Sequence, residues 1–292
     1  MTLPLTLLLT PGASGSTSDT VVTTVDSLHP QVSVLDLGVT RGDGIFESIG
    51  VVDGRIQALE PHLARLAKSA GMLDLPTPDL DVWRAAVHRA VDEAGPAVRG
   101  AELLAKLILT RGIEDANTGV TGWVHLFEAH DYSAQRLGID VVTLDRGYPS
   151  DVQKSPWLLQ GAKTLSYAVN LASLREAARR GADDVVFVST DDYVLEGPNS
   201  SAIALIDGVH VTTPDDFGVL EGTTQRSFFD FVESRGGRVE YRGFTVAELR
   251  GADGVWLASS GRQLAPVTTL DGLALPVDAA FTADAVAYLL GR

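Results

Sequence analysis

Several residue types in this chain could hold an anion and present an amine to it. Arg65 can offer a planar fork of N–H groups to phosphate oxygens. Gly222, Thr223 and Thr224 open a predicted helix, whose free N–H groups and dipole favour negative charge. Ser259 and Ser260 end a predicted strand and add hydroxyl and backbone donors. Lys163 carries an amine that becomes a nucleophile only where desolvation lowers its pKa toward neutrality. Tyr167 follows by one helical turn, so both side chains can face one cavity. Taken singly, each also has an ordinary role: a solvated lysine before a helix, a core tyrosine, an N-cap threonine, serines that terminate a strand, a solvated helix arginine.

Composition narrows the setting. With 292 residues, 45% of them hydrophobic, the chain can bury a real core in one large or two modest domains. Acidic residues outnumber basic ones 38 to 23, a formal charge of −15, so a nucleic-acid backbone or an anionic membrane would be repelled. Cysteine is absent, which excludes disulfides, thiolate metal sites and a cysteine nucleophile. The six histidines form no ligand cluster, so no metal is expected. Met1–Thr10 is apolar but lacks a basic flank and contains Pro4, which favours an initial strand over a signal peptide. No apolar run reaches the roughly 20 residues that span a bilayer, and the expected location is the cytoplasm.

The elements that must position these residues follow from periodicity. Val32–Leu37 and Phe46–Val52 read as strands, with Val52-Asp53-Gly54-Arg55 as a hairpin turn into Ile56–Leu59. Amphipathic helices are predicted over Pro61–Met72 and Leu80–Ala94, and strands over Leu103–Leu109 and Trp123–Phe127. The Gly- and Ser-rich stretch Pro11–Asp19 reads as a loop. A polar lapse suggests a linker at 131–138 between a domain over 1–130 and another over 139–292. Landmarks of the second are helices at Tyr167–Arg180, Thr223–Glu233 and Ala280–Leu290, and strands at Ile139–Leu144, Asp184–Ser189, Ala202–Ile206 and Gly254–Ser259.

The segment Lys163-Thr-Leu-Ser-Tyr167, an Ala-rich helix after it, and Tyr193-Val-Leu-Glu-Gly-Pro-Asn-Ser-Ser201 together resemble the class IV aminotransferase family, the fold-type IV pyridoxal-5′-phosphate (PLP) enzymes. Arg41-Gly-Asp-Gly-Ile-Phe-Glu47, His62-Leu-Ala-Arg-Leu66, Gly222-Thr-Thr224 and Val255-Trp-Leu-Ala-Ser-Ser260 occur in the family's order, so the resemblance covers nearly the whole chain. It implies an α+β architecture with a small N-terminal α/β domain and a larger C-terminal pseudo-barrel domain that binds PLP. It implies that Lys163 forms the cofactor aldimine and later shuttles a proton between substrate Cα and the cofactor's C4′. Glu196 would face the pyridine nitrogen, where a carboxylate favours the cationic ring; as a residue it could equally be a turn glutamate before Gly197. Tyr167 would hydrogen-bond the cofactor's O3′, and Arg65, Thr223, Thr224, Ser259 and Ser260 would hold its phosphate. Glu47 and His62 are expected to be structural, and a homodimer is implied.

Within that family the chain is most similar to actinobacterial members described as aminodeoxychorismate lyases, some of which resemble D-amino acid transaminases. The Arg-x-His carboxylate trap typical of D-amino acid transaminases is missing after Thr110-Arg111-Gly112, where Ile113-Glu-Asp-Ala-Asn-Thr118 stands instead. A Gly-Arg-Gly-Tyr run and an asparagine near Ser259, found in well-known lyases, are absent too. Arg41 is the candidate for the substrate carboxylate, with a surface salt bridge as its other reading, and Ser48 occupies the place of a lyase hydroxyl. The expected activity is transamination between a D-amino acid, or an (R)-amine, and an α-keto acid. Cleavage of 4-amino-4-deoxychorismate to 4-aminobenzoate and pyruvate is the alternative, and a non-catalytic PLP-binding protein a lesser one. Small-molecule donors and acceptors are the expected partners.

Overall fold

A computed structural model describes residues 3–11, 19–114 and 119–292. The chain divides into two compact units, one of residues 1–130 with 162–167, the other of residues 131–161 with 168–292. Most of the Pro11–Asp19 loop and the 115–118 part of the loop after Arg111 lie outside the described residues.

The first unit contains β1 (Leu5–Thr10), β2 (Val21–Val25), α1 (Leu37–Thr40), β3 (Gly44–Val52), β4 (Arg55–Ile56), α2 (Leu59–Met72), α3 (Leu80–Ala94), β5 (Glu102–Thr110) and β6 (Thr121–Glu128). Its strands form one antiparallel sheet in the order β2-β1-β6-β5-β3-β4. Successive side chains of β3 leave on opposite faces. Ile45, Glu47, Ile49 and Val51 are fully enclosed on the face that α2 covers with Leu63, Leu66 and Ala70. Truncating either leucine would cost about 2–5 kcal/mol, because the cavity left would close only in part. Asp79 caps α3 by accepting from the N–H groups of Asp81 and Val82. The β3–β4 hairpin turns through Asp53 (φ 50°) and Gly54 (φ 77°), the left-handed pair that the Asp-Gly dipeptide favours.

Two expectations fail here. No strand forms over Val32–Leu37; the chain turns there, and Asp36 caps the short α1, while the strand beside β1 is β2, further upstream. Lys163 belongs by its contacts to the first unit and not to the second. The reason is edge pairing: Phe46 N–H donates to the Lys163 carbonyl at 2.9 Å, and Leu165 N–H to the Gly44 carbonyl at 2.8 Å. β4 pairs only with Val51 and Val52, so the first half of that β3 edge is available for residues 163–165.

The second unit contains β7 (Ile139–Asp145), α4 (Ala168–Arg179), β8 (Asp184–Val188), β9 (Ser201–Ile206), β10 (Val209–Thr212), α5 (Thr223–Ser234), β11 (Arg238–Tyr241), α6 (Val246–Arg250), β12 (Gly254–Ser259), β13 (Gln263–Leu270), β14 (Leu273–Ala274) and α7 (Ala279–Gly291). A mixed sheet runs β11-β10-β9-β12-β13-β7-β8, with β14 paired to β13. Beyond β8 the ladder continues irregularly, since Leu195 N–H donates to the Phe187 carbonyl and Val194 N–H to the Phe244 carbonyl. One face buries Val141, Val211, Val255 and Leu257 among others; the other packs Ile203, Trp256 and Leu264 under α5 and α7 through Phe228 and Leu289. β13 escapes sequence reading because Pro266 interrupts it; the strand tolerates it beside a register shift between Val267 and Thr269.

Gly44 is where three backbones meet, since a Cβ there would stand 2.7 Å from the Leu109 carbonyl oxygen and 2.8 Å from Leu165 Cδ1. Gly44→Ala is therefore expected to destabilise the fold by about 1–3 kcal/mol, the usual cost of overpacking, as read by urea unfolding.

Candidate active site

The first unit holds Lys163 through its backbone and its side chain. Its N–H donates to Ser69 Oγ on α2 at 3.1 Å, and its carbonyl accepts from Phe46. The ammonium nitrogen lies 4.5 Å from the centroid of the Phe46 ring, and Tyr167 meets the same ring edge-on at 5.4 Å between centroids. Lys163 and Tyr167 thus share a side, but not through a helical turn: Thr164 bridges Ile45 in extended conformation and α4 begins only at Ala168.

Arg65 stands one turn before Ser69 on α2, buried, with Nε and Nη2 each 2.7 Å from the carboxylate of Glu47. His62 Nδ1–H donates to the same carboxylate at 2.7 Å. Burial alone would raise the Glu47 carboxyl, but the charge and hydrogen bonds of Arg65, with His62, hold it well below the carboxylate range. Burial pushes His62 down; Glu47 opposes this, while the charges of Arg65 and Lys163 add to it, so the neutral imidazole is favoured. Glu47 and His62 are thereby the supports that hold Arg65 in place, and the Nε–Nη2 fork expected to meet a phosphate is spent on the Glu47 carboxylate.

Ser48 lies on the opposite face of β3 from Glu47, beside Lys106 of β5 in the strand register. Arg41 is exposed at the C-terminal end of α1, its N–H bonded to the Leu37 carbonyl, and its side chain has no partner among the described residues. Arg111 is committed elsewhere, forking onto Asp43 at 2.6 and 3.2 Å and onto the Leu73 carbonyl at 2.6 Å.

The second unit gathers the remaining candidates. Glu196 accepts from the Leu220 N–H at 3.1 Å, and its own carbonyl accepts from Phe187. Its charge adds to burial in pushing the Tyr148 phenol up to about 12. Two residues after Leu220, Gly222 is the N-cap of α5 and supplies no side-chain cap to the first-turn N–H groups. A Cβ on Gly222 would stand 2.1 Å from Ser201 Oγ, and Ser201 pairs with Ala258, immediately before Ser259. Ser260 is tied in through its carbonyl, which accepts from Gln263 Nε2 at 2.9 Å. Thr223 and Thr224 are buried at the start of α5. A helix start without a side-chain cap, close to Ser201, suits a phosphate monoester, and within each unit the donors present, an amine in the first and a carboxylate in the second, are of the chemical kinds that pyridoxal phosphate takes.

Ser69, Phe46, Leu220 and Gln263 are supports that sequence reading missed. Leu220 and Ser69 act through a backbone group or a single hydroxyl, which leaves no pattern; the β alternation of Phe46 against Glu47 is the one signal that was available. No group of three or more metal-ligating side chains occurs among the described residues. Nor is any described helix long and apolar enough to cross a membrane.

The buried charges link stability to pH. Glu47, depressed from 4.5, contributes stability that is complete above that pH and is lost as pH falls toward its folded value. His62, depressed from 6.5, is protonated more readily in the unfolded chain, so stability also declines as pH falls below 6.5. Chemical unfolding followed from pH 7 downward should show both losses, and His62→Gln should flatten the upper one. At pH 7, Glu47→Gln should cost about 3–5 kcal/mol by leaving Arg65 buried without its anion.

Comparison with known proteins places this arrangement. The model of the amino-transferase class IV family matches residues 44–270. A bifunctional aminodeoxychorismate lyase / D-amino acid transaminase of Mycobacterium tuberculosis is 43% identical over 292 residues, covering 90% of this chain and 100% of that protein. A D-alanine aminotransferase of Bacillus licheniformis is 27% identical over 248 residues, 82% of this chain and 83% of its own length. Among solved structures, a fold IV-transaminase from Curtobacterium pusillum is 57% identical with a TM-score of 0.92, covering 98% of this chain and 99% of that one. A PLP-bound hypothetical aminotransferase from Mycobacterium tuberculosis is 39% identical with a TM-score of 0.88, over 98% and 99% of the two chains. With the lysine, the carboxylate and the helix start found where these motifs fall, the chain is a two-domain, α+β, fold-type IV enzyme that belongs to the class IV aminotransferase family.

Proposed function

We propose that the chain is a PLP-dependent transaminase that moves an amino group between a D-amino acid, or an (R)-amine, and an α-keto acid. The observation that carries the reading is the seating of Lys163: both sides of its peptide are hydrogen-bonded, to Ser69 and to Phe46, and its amine rests against an aromatic face. Bound PLP would supply an aldehyde for an amine and a ring that takes up the electron pair released at substrate Cα. Lys163 carries the proton between that carbon and the cofactor's C4′. Glu196, steadied by the Leu220 N–H, keeps the ring nitrogen protonated. Arg65, steadied by Glu47, and the Thr223, Thr224, Ser259 and Ser260 donors hold the phosphate. Tyr167 donates to O3′. A homodimer belongs to the same proposal and rests on the family resemblance, and a cytoplasmic location is proposed with it.

The identity to a fold IV-transaminase and to a protein named for both activities supports this order of readings. The second name makes cleavage of 4-amino-4-deoxychorismate the other reading, with Ser48 as the hydroxyl available for a proton.

Adding D-alanine to the yellow holoprotein is expected to remove the visible absorbance band and raise one in the near ultraviolet, with 2-oxoglutarate reversing the change. Parallel assays with aminodeoxychorismate, reading 4-aminobenzoate, set the ratio of the two activities; a holoprotein inert to both substrates is a carrier. Lys163→Ala should lower turnover by at least about 10³-fold, within the range that loss of a general acid–base group produces. Turnover by Lys163→Ala at the wild-type rate would sink the reading.

A further inference from the structure

Phe46 carries a second cation. Lys106 Nζ stands 5.0 Å from the centroid of the ring that Lys163 Nζ approaches to 4.5 Å, so the two amines lie within one small molecule's length of each other. Strand register explains the meeting: Phe46 faces Ile108 and Ser48 faces Lys106, so Lys106 is the diagonal neighbour of Phe46 on one sheet face. Lys106 is half-buried, and no carboxylate pairs with it among the described residues. Its neighbour across the β5–β6 register, His125, is held below its ordinary pKa by burial and then by the Lys106 charge, so it supplies no counter-ion. Of the other cations considered for an anion in this unit, Arg65 is engaged by Glu47 and Arg111 by Asp43, and Arg41 is exposed.

A half-buried ammonium without an anion is costly, and two cations around one ring repel each other. An anion placed beside them relieves both penalties, and the reduced polarity makes that attraction stronger than it would be for exposed Arg41. We infer that Lys106 binds the α-carboxylate of the amino donor and of the keto acid, filling the role of the absent Arg-x-His trap. The inference rests on the transaminase reading and names the substrate class it takes: anionic amino acids in preference to plain amines. Lysine suits the task because its long stem lets a point charge follow carboxylates of different size.

The test compares wild-type holoenzyme with Lys106→Met, Lys106→Arg and Arg41→Ala. D-alanine and (R)-1-phenylethylamine serve as donors, and absorbance titration with 2-oxoglutarate serves as a binding measurement. For Lys106→Met the KM of D-alanine and the Kd of 2-oxoglutarate should rise about 30-fold, in line with loss of a charge-assisted contact, with kcat within about threefold. Its kcat/KM for the amine, which has no carboxylate, should stay within about twofold, and Lys106→Arg should recover most of the D-alanine loss. Equal losses on both donors would reduce Lys106 to a structural role. An unmoved D-alanine KM in Lys106→Met beside a raised one in Arg41→Ala would overturn the inference in favour of Arg41. If the amine is not a donor, the KM-against-kcat split and the recovery by arginine decide. If wild type gives no response to D-alanine, the transaminase reading fails, and the 2-oxoglutarate titration alone judges the carboxylate contact.

Discussion

A carboxylate with no exposure to solvent, Glu47, is the constraint around which the first unit is organised. A buried charge of this kind persists only when fully matched, and Arg65 and His62 supply the match from one face of α2. Meeting that demand fixes the height and rotation of α2 over β3. Once α2 is fixed, Ser69 one turn further on reaches the Lys163 N–H, ninety-four residues away in sequence. The residue before Glu47, Phe46, points to the other face by strand alternation and receives the Lys163 amine. One dipeptide therefore seats the Arg65 guanidinium through Glu47 and the Lys163 amine through Phe46.

The second unit draws its candidate groups together largely through backbone. Gly222 comes so close to Ser201 that no side chain fits, and Ser201 in turn sits in register with the end of β12. Helix start and strand end are thus drawn together by close approach, and the guanidinium of Arg292, largely shielded from solvent, reaches Thr224 Oγ1 and Gln263 Oε1 at 3.5 Å each. Glu196 is handled in the same way: a backbone N–H, from Leu220, orients its carboxylate. Positioning by backbone is rigid at small entropic cost, which suits groups that must stay aimed while a substrate comes and goes.

Charge is distributed against the average. A chain with a formal charge of −15 concentrates Lys163, Lys106 and Arg65 around the two residues Phe46 and Glu47. The net charge keeps polyanions away, while the local cations favour small carboxylates and phosphates that can leave bulk solvent.

The sequence by itself determined the family and most long elements, and it named the candidates for the site's chemistry. The helix expected over Leu80–Ala94 and the strand over Gly254–Ser259 form with those bounds, and the expected Thr223–Glu233 helix and Phe46–Val52 strand form with one and two residues more, because their apolar periods are local, while Lys163, Glu196 and Gly222 stand out as candidates because each sits in an unbroken motif. Tertiary structure alone decided three things. It assigned residues 162–167 to the first unit, since an edge of β3 left open by the short β4 is a matter of pairing and not of composition. It turned the lysine and tyrosine toward one ring by extended alternation instead of a helical turn, and it brought Lys106 beside them across the β3–β5 register. Local sequence carries propensity and period, whereas register and edge occupancy are fixed only when distant strands compete for the same backbone hydrogen bonds.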